Sequence, residues 1–316
     1  MNIEPEPLRI RCRNCRTHLD ASGMEPFSLV PCPVCGTTLR IPRRFGRYLL
    51  EKLCGRGSFT TTYRAIDPRL ARRVAVKVLD HADKEDASEL GSRFFTEAKL
   101  VAGLNHPSIL PVYDCGVCEA LPFLVTRYMP GGDLEKLAET GQLPGMARVL
   151  EIVYAVAEGL QYAFQTANVV HHAVKMSNIL LADDEVRLGD FDLADVRQYG
   201  DLATPCAVWA TPAGASPERL LNGGEDCRGD IFSLGVVLYE LLGKCEPFGE
   251  SGTAEELYEA RREMAFPALC ELAPGVPEEL SDLVTRMLDF MPERRPGYAE
   301  LLRQLKAVID GLRRGQ

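Results

Sequence analysis

Apolar residues recur along this chain with two periods, and the change of period divides it. In Arg73–Leu79, Val74, Val76 and Val78 alternate with other side chains, the two-residue period of a half-buried strand, and residues 48–80 as a whole read as strands and turns. Over about 87–104 the period lengthens. Leu90, Phe94, Ala98, Val101 and Leu104 fall at three- and four-residue spacing and predict a helix. Two further strand-like runs, 109–117 and 121–128, precede a turn at Pro130-Gly131-Gly132, after which the pattern is mostly helical. Val149, Ile152, Val153, Val156 and Leu160 make one apolar stripe, and Ile231, Leu234, Val237, Leu238 and Leu241 another; a last helix-like run covers Leu301–Leu312. The expectation is an α+β fold of two lobes, a small strand-rich one over about 46–126 and a larger helical one over about 130–313.

Residues 1–42 carry no such periodicity and make a separate module. Cys12-x-x-Cys15 and Cys32-x-x-Cys35 stand 16 residues apart, the spacing of a four-thiolate zinc site. Each Cys-x-x-Cys turn points two sulfurs at one ion, and Gly36 suits the second turn. So short a segment buries too little surface to fold alone, so metal binding would supply its folding free energy. Iron in a similar cage is the alternative metal. The segment resembles a zinc ribbon. His18 reads as a surface histidine, because four thiolates already close the shell. Cys115-x-x-Cys118 has no partner pair and reads as two buried or edge thiols. Between the modules, Ile41-Pro42-Arg43-Arg44-Phe45-Gly46-Arg47 reads as a solvated linker, punctuated by Pro and Gly.

Charge sharpens this division. The chain of 316 residues carries 36 basic and 45 acidic side chains, a net −9. Residues 1–47 hold eight basic and four acidic residues, so the remaining 269 carry −13. That balance argues against a mainly nucleic-acid-binding protein. No apolar stretch approaches the roughly 18–20 residues that span a bilayer, and the acidic start is no signal peptide. A cytoplasmic protein is expected, with its 11 cysteines serving as metal ligands or buried thiols rather than as disulfides.

The chemistry gathers after the linker. Gly55 and Gly57, in Leu-Cys-Gly-Arg-Gly-Ser-Phe-Thr, would let backbone amides approach phosphate oxygens in a strand–turn–strand, and Lys77, in Val-Ala-Val-Lys, lies 20 residues beyond Gly57. Farther along stand His-His-Ala-Val-Lys-Met-Ser-Asn, Gly-Asp-Phe-Asp, Ser-Pro-Glu, Asp-Ile-Phe-Ser-Leu-Gly and Arg-Arg-Pro, in that order. With these motifs, residues 46–310 resemble a protein kinase domain, closest to bacterial Ser/Thr kinases. The resemblance implies that Lys77 holds the α- and β-phosphates of ATP with Glu97 as its ion-pair partner. Thr126 falls at the gatekeeper position, and Arg127 to Met129 at the hinge that meets the adenine edge. Lys175 and Asn178 match the catalytic-loop lysine and the metal-binding asparagine, Asp190 the magnesium aspartate, and Thr211 the threonine of the activation segment. Glu218 and Arg295 would pair beneath that segment, and Asp230 would anchor the catalytic loop.

The departures from the family pattern bear on function. Where the family reads His-Arg-Asp, this chain has His171, His172 and Ala173, and alanine cannot accept the substrate hydroxyl proton. Losing a positioned general base typically costs about 10²–10⁴ in rate. His172 removes the arginine that would grip a phosphorylated activation segment. Thr60 replaces the third glycine of the phosphate loop, and Asp192 the glycine of Asp-Phe-Gly. The residues that would hold Mg²⁺ and ATP persist while the proton acceptor is lost. The reading is a pseudokinase, a nucleotide-capable switch or scaffold that meets a protein partner or client through its zinc ribbon and C-lobe. Three alternatives stand beside it: a weakly active Ser/Thr kinase, an enzyme that transfers the AMP moiety of ATP, and a zinc ribbon that reads nucleic acid through Arg9, Arg11, Arg13 and Arg16.

Overall fold

The alternating valines of Arg72–Leu79 form the centre of a sheet, and the rest of the N-terminal half assembles against them. The computed structural model describes residues 7–57, 59–80, 87–191, 214–220, 225–249 and 253–314. It divides into two compact units, Met1–Ala98 with Pro111–Tyr128, and Lys99–Leu110 with Met129–Gln316.

The first unit opens with two short antiparallel hairpins, β1 (Arg9–Arg11) with β2 (His18–Asp20), and β3 (Leu29–Pro31) with β4 (Thr38–Arg40). A six-stranded antiparallel sheet comes next, built from β5 (Arg43–Phe45), β6 (Tyr48–Arg56), β7 (Thr60–Asp67), β8 (Arg72–Leu79), β9 (Val112–Cys118) and β10 (Leu121–Arg127) in the order β5-β6-β7-β8-β10-β9. Val74, Val76 and Val78 bury on one face with Phe45, Tyr48, Leu50, Ala65 and Val125. On the other face, α1 (Ala87–Ala102) lays Phe94 and Ala98 on Leu79 and Leu124. Cys115 and Cys118 both lie on the edge strand β9, as edge thiols.

Residues 41–47 depart from the sequence expectation. They are no solvated linker: β5 pairs with β6, and Ile41 and Phe45 are fully buried. Arg43 pairs with Glu119, and Arg47 with Asp114 at 3.0 Å. Arginine stems cover apolar surface while their heads reach carboxylates, so a basic composition masked a strand.

In the second unit a small sheet, β11 (Gly132–Asp133), β12 (Ile179–Ala182) and β13 (Glu185–Leu188), lies among helices. Its β12–β13 hairpin interrupts a stretch that the apolar pattern predicts to be helical. Strands of four residues are too short to show a period, and the Asp183-Asp184 turn lacks the glycine that usually announces one. Asp183 takes φ 50° there, a region that Asp tolerates better than most residues.

The helices are α2 (Leu134–Glu139), α3 (Met146–Ala167), α4 (Pro217–Leu220), α5 (Cys227–Gly243), α6 (Ala254–Glu263), α7 (Leu269–Leu272), α8 (Glu278–Met287) and α9 (Tyr298–Arg314). The stripe Val149, Ile152, Val153, Val156 and Leu160 is buried, as its spacing predicts. Helix α5 is buried on all sides from Gly229 to Tyr239, and its N-cap Asp226 accepts from the Arg228 amide. Each fully buried Leu, Ile or Val in this core contributes about 1.5–3 kcal/mol. Replacing Leu160 by alanine would cost about 2–5 kcal/mol. Among the described residues no helix is long and apolar enough to cross a membrane.

Candidate functional site

The cysteines converge. The four sulfurs of Cys12, Cys15, Cys32 and Cys35 all lie within 4.8 Å of one another, with Cys12–Cys35 and Cys15–Cys32 each at 3.6 Å. A tetrahedral zinc with bonds of about 2.3 Å needs sulfurs roughly 3.8 Å apart, so the cage fits such an ion. The two hairpins build it as a repeat. Cys12 N donates to Thr17 O and Arg16 N to Cys12 O, and Cys32 N to Thr37 O and Gly36 N to Cys32 O do the same 20 residues later. Arg16 (φ 64°) and Gly36 (φ 73°) take the same left-handed position. The Thr17 and Thr37 hydroxyls, then their backbone amides, draw the Cys15 and Cys35 thiols toward ionisation, and Cys35 falls to about 5. Sulfurs this close oppose one another's ionisation, and Cys32 is pushed up to about 11, so a divalent cation would supply the charge that lets all four act as thiolate ligands. His18 is exposed on β2 and is not among the residues whose ligand atoms converge there.

The hairpin module is seated on the sheet within its own unit. Arg13, between the first two cysteines, pairs with Glu51 of β6 at 2.8 Å, and Glu51 also pairs with Arg64 of β7 at 3.0 Å. Phe27 stacks on Tyr63 of β7, with ring centroids 5.9 Å apart and planes 5° apart. These partners lie on the two strands that carry the glycine turn. Gly55 pairs with Thr62 across that hairpin, and Gly57 N donates to Thr60 O at 2.8 Å. The Thr60 hydroxyl comes within 3.3 Å of where a Gly57 side chain would begin, so the turn has room for glycine there and little more. Lys77 lies toward the end of β8, between Thr62 and Leu124. Arg127 ends β10. Glu97 falls on α1, but its side chain lies outside the described residues.

In the second unit, Met129 is buried with Leu110 and Ala182. The loop 171–178 is held by its own polar atoms. His171 is fully buried; its Nδ1 accepts from Ala173 N (3.2 Å), so its Nε2–H donates to Gly189 O (3.0 Å), and its ring packs 4.3 Å from that of Phe191. Asn178 donates its amide nitrogen to Ala173 O at 2.8 Å, which leaves its side-chain oxygen as the donor atom for a hard cation. Asp190, left-handed at φ 55°, is exposed, and so is Lys175. Asn178 and Asp190 thus offer oxygen ligands of the kind Mg²⁺ takes. Thr211 and Asp192 lie outside the described residues.

Asp230 anchors this loop. Its carboxylate accepts from His171 N (2.7 Å) and His172 N (2.8 Å), and burial lifts its pKa to about 6 despite the opposing pull of His172. Glu218 and Arg295 pair at 2.7 Å.

Sequence reasoning missed Glu225. Its carboxylate, 2% exposed, takes His172 Nδ1 at 2.5 Å, Ser216 Oγ at 2.5 Å and Arg219 at 3.5 Å. Burial opposes the charge on His172, but the bond and charge of Glu225 outweigh it and raise the ring's pKa. Burial likewise opposes the charge on Glu225, and His172 reverses that and holds its carboxyl below the usual range. The only sequence signal was the unusual His172 itself, which requires a partner if buried.

Comparison with known proteins agrees with this architecture. The protein kinase domain family matches residues 48–305. The serine/threonine-protein kinase PknL of Mycobacterium tuberculosis is 37% identical over 271 residues, covering 84% of this chain and 66% of that protein. A Streptomyces coelicolor protein named probable serine/threonine-protein kinase SCO3848 is 34% identical over 282 residues, covering 85% of this chain and 41% of the other. The chain therefore spans less than two thirds of the length of these relatives. The crystal structure of the M. tuberculosis PknI kinase domain superposes with a TM-score of 0.66 at 24% identity, over 86% of this chain and 98% of that one.

Proposed function

The chain belongs to the protein kinase family, and from that premise we propose that it is a pseudokinase: a nucleotide-binding regulatory or scaffold protein that carries a zinc ribbon on residues 1–42 and a kinase-like domain on residues 46–313. One observation carries the reading. Ala173 occupies the base position, and the neighbouring imidazole of His172 is committed to Glu225 with its side chain only 9% exposed. A ring so placed is out of reach of a substrate hydroxyl.

Gly55, Gly57, Lys77 and Glu97, with Arg127 and Met129 at the hinge, would bind ATP. Asn178 and Asp190 would hold Mg²⁺, which supplies charge neutralisation along the phosphates when bound. Cys12, Cys15, Cys32 and Cys35 would hold a structural zinc. ATP at about one hundred times its Kd would stabilise the fold by about 2.7 kcal/mol; Lys77→Ala should abolish most of that shift and Asp190→Ala its Mg²⁺ dependence. The exposed Lys175 keeps a second reading in play, weak Ser/Thr kinase activity with Lys175 and Thr211 near the transferred phosphoryl group. Single-turnover transfer of the γ-phosphate, with Asp190→Ala as blank, separates the two. Turnover at about 1–100 s⁻¹ by the wild type would overturn the pseudokinase reading, whereas activity gained only on Ala173→Asp would support it.

A further inference from the structure

Kinases that are switched by phosphorylation order their activation segment through new pairs between arginine and phosphate. In this chain an anion already stands between the catalytic loop and the segment 214–220, and it comes from the chain itself. Glu225 precedes α5 and collects donors from two places: His172 in the catalytic loop, and Ser216 and Arg219 in the segment 214–220. The space for it is made by one residue. A side chain begun at Gly229 would lie 1.9 Å from a Glu225 carboxylate oxygen, and Gly229 has ordinary helical backbone, so glycine is needed there for room and not for its conformation.

The rest of the segment is secured in the same fashion. Ser233 donates to Gly214 O at 2.8 Å, the fully buried Arg261 donates to Ala215 O at 2.8 Å, and Arg295 grips Glu218. Every one of these partners is an uncharged atom or a fixed charge of the fold.

We propose that Glu225 is a built-in anion that clamps the catalytic loop to the 214–220 segment and so makes the order of that region independent of phosphorylation. Arginine at position 172 would be suited to a doubly charged phosphate arriving from outside. Histidine is shorter and matches one buried carboxylate, and its ring meets Glu225 while its amide stays on Asp230. His172, Glu225 and Gly229 then form one device: a short cation, an internal anion and the room for it. The clamp lies wholly within the C-terminal unit and holds whether or not nucleotide binds or phosphoryl transfer survives.

The test uses the full chain. Glu225→Gln should speed amide hydrogen exchange at His171, His172 and residues 214–220 by tenfold or more, and lower the His172 pKa read by ring NMR, while protection in the cysteine hairpins stays unchanged. Phosphatase treatment of the wild type should change none of these. Unchanged exchange at 214–220 in Glu225→Gln, an unmoved His172, or loosening of the segment by phosphatase would each overturn the proposal. Should Glu225→Gln fail to fold, the pair Gly229→Ala and Glu225→Ala/Gly229→Ala decides. Exchange at 214–220 that is fast in both supports the clamp, because the first displaces the carboxylate and the second lacks it; wild-type exchange in the double variant overturns it.

Discussion

The cysteine hairpins and the catalytic-loop network both fix a few reactive atoms in space, by opposite routes. In the hairpins the ligands sit two pairs to a cage, each pair three residues apart, and the cage repeats a turn closed by Cys12–Thr17 and Cys32–Thr37 bonds. Little of the chain takes part, and the metal would supply the missing cohesion. In the network the contacts run His172 to Glu225, 53 residues apart, and Glu218 to Arg295, 77 apart. No metal is needed, but the whole helical core must fold first to bring them together. The hairpins are therefore expected to be lost singly and the network only with its core.

The largest effect should come from breaking the cage. Cys12→Ser with Cys32→Ser should release about one zinc per chain and unfold the first 40 residues, because structural zinc sites are worth roughly 10–16 kcal/mol in apparent binding energy. The kinase-like domain should still melt cooperatively. Metal analysis with circular dichroism and limited proteolysis checks both halves; loss of the entire fold would erase the contrast.

Breaking the network should cost less but reach further. His172→Leu takes the closest cation from the buried Glu225 carboxylate and leaves it Ser216 and the longer contact to Arg219, so the loss should stay below the roughly 3–5 kcal/mol of a buried charge with no partner left. Chemical denaturation should show that loss in the main transition, where the cysteine variant shows little. Equal losses in the two variants would mean that the hairpins and the core unfold as one.

The two regions also differ in how far the sequence discloses them. The cage was legible because its ligands are local: Cys-x-x-Cys and its spacing carry the geometry, although the wider repeat, with Thr17 matching Thr37 and Leu19 matching Leu39, emerged only from the paired hairpins. The kinase landmarks were legible by their order along the chain. Asp230 and the Glu218–Arg295 pair fell where the family pattern puts them. What escaped was non-local or short. Nothing next to Glu225 in sequence announces that its partner is His172, and nothing about Gly229 says that its missing side chain is the space Glu225 fills. β5 escaped because its arginines disguised the buried Phe45 at its end and the buried Ile41 just before it.

Acidity should separate the regions further. His172 has a raised pKa, so the stability it adds is complete below its unfolded value of about 6.5 and fades as pH climbs through the folded value. Glu225 has a lowered one, so its share is present above its ordinary 4.5 and is lost only as pH falls toward the folded value. Asp230, raised to about 6, holds more protons folded than unfolded between 3.8 and that value, so stability declines with rising pH across that interval as well. The network is thus strongest in mildly acidic solution. The stability gap between wild type and His172→Gln should narrow from pH 6 to pH 9, by at most about 1.4 kcal/mol per pH unit for one group. A gap that widened with pH would contradict a charged His172.

The smallest effect is expected where the two styles of construction meet, at the seat of the hairpins on β6 and β7. Arg13 leaves 67% of its side chain in water, so its bond to Glu51 is an exposed ion pair worth about 0–1 kcal/mol and weakened by salt. Glu51 keeps its second partner Arg64, so Arg13→Ala does not strand it. The parallel stack of Phe27 on Tyr63 adds about 0.5–1.5 kcal/mol beyond the area it buries. Arg13→Ala should therefore shift the melting of the full chain by a degree or two at most, with zinc retained, and Phe27→Ala should shift it more. The two side chains bear on neighbouring strands of one hairpin, Glu51 on β6 and Tyr63 on β7, so their losses should not simply add. A double-mutant cycle reads that coupling directly. Strict additivity would show two separate seats, whereas a coupling above about 0.5 kcal/mol would show that the hairpins grip the glycine-turn strands as one piece.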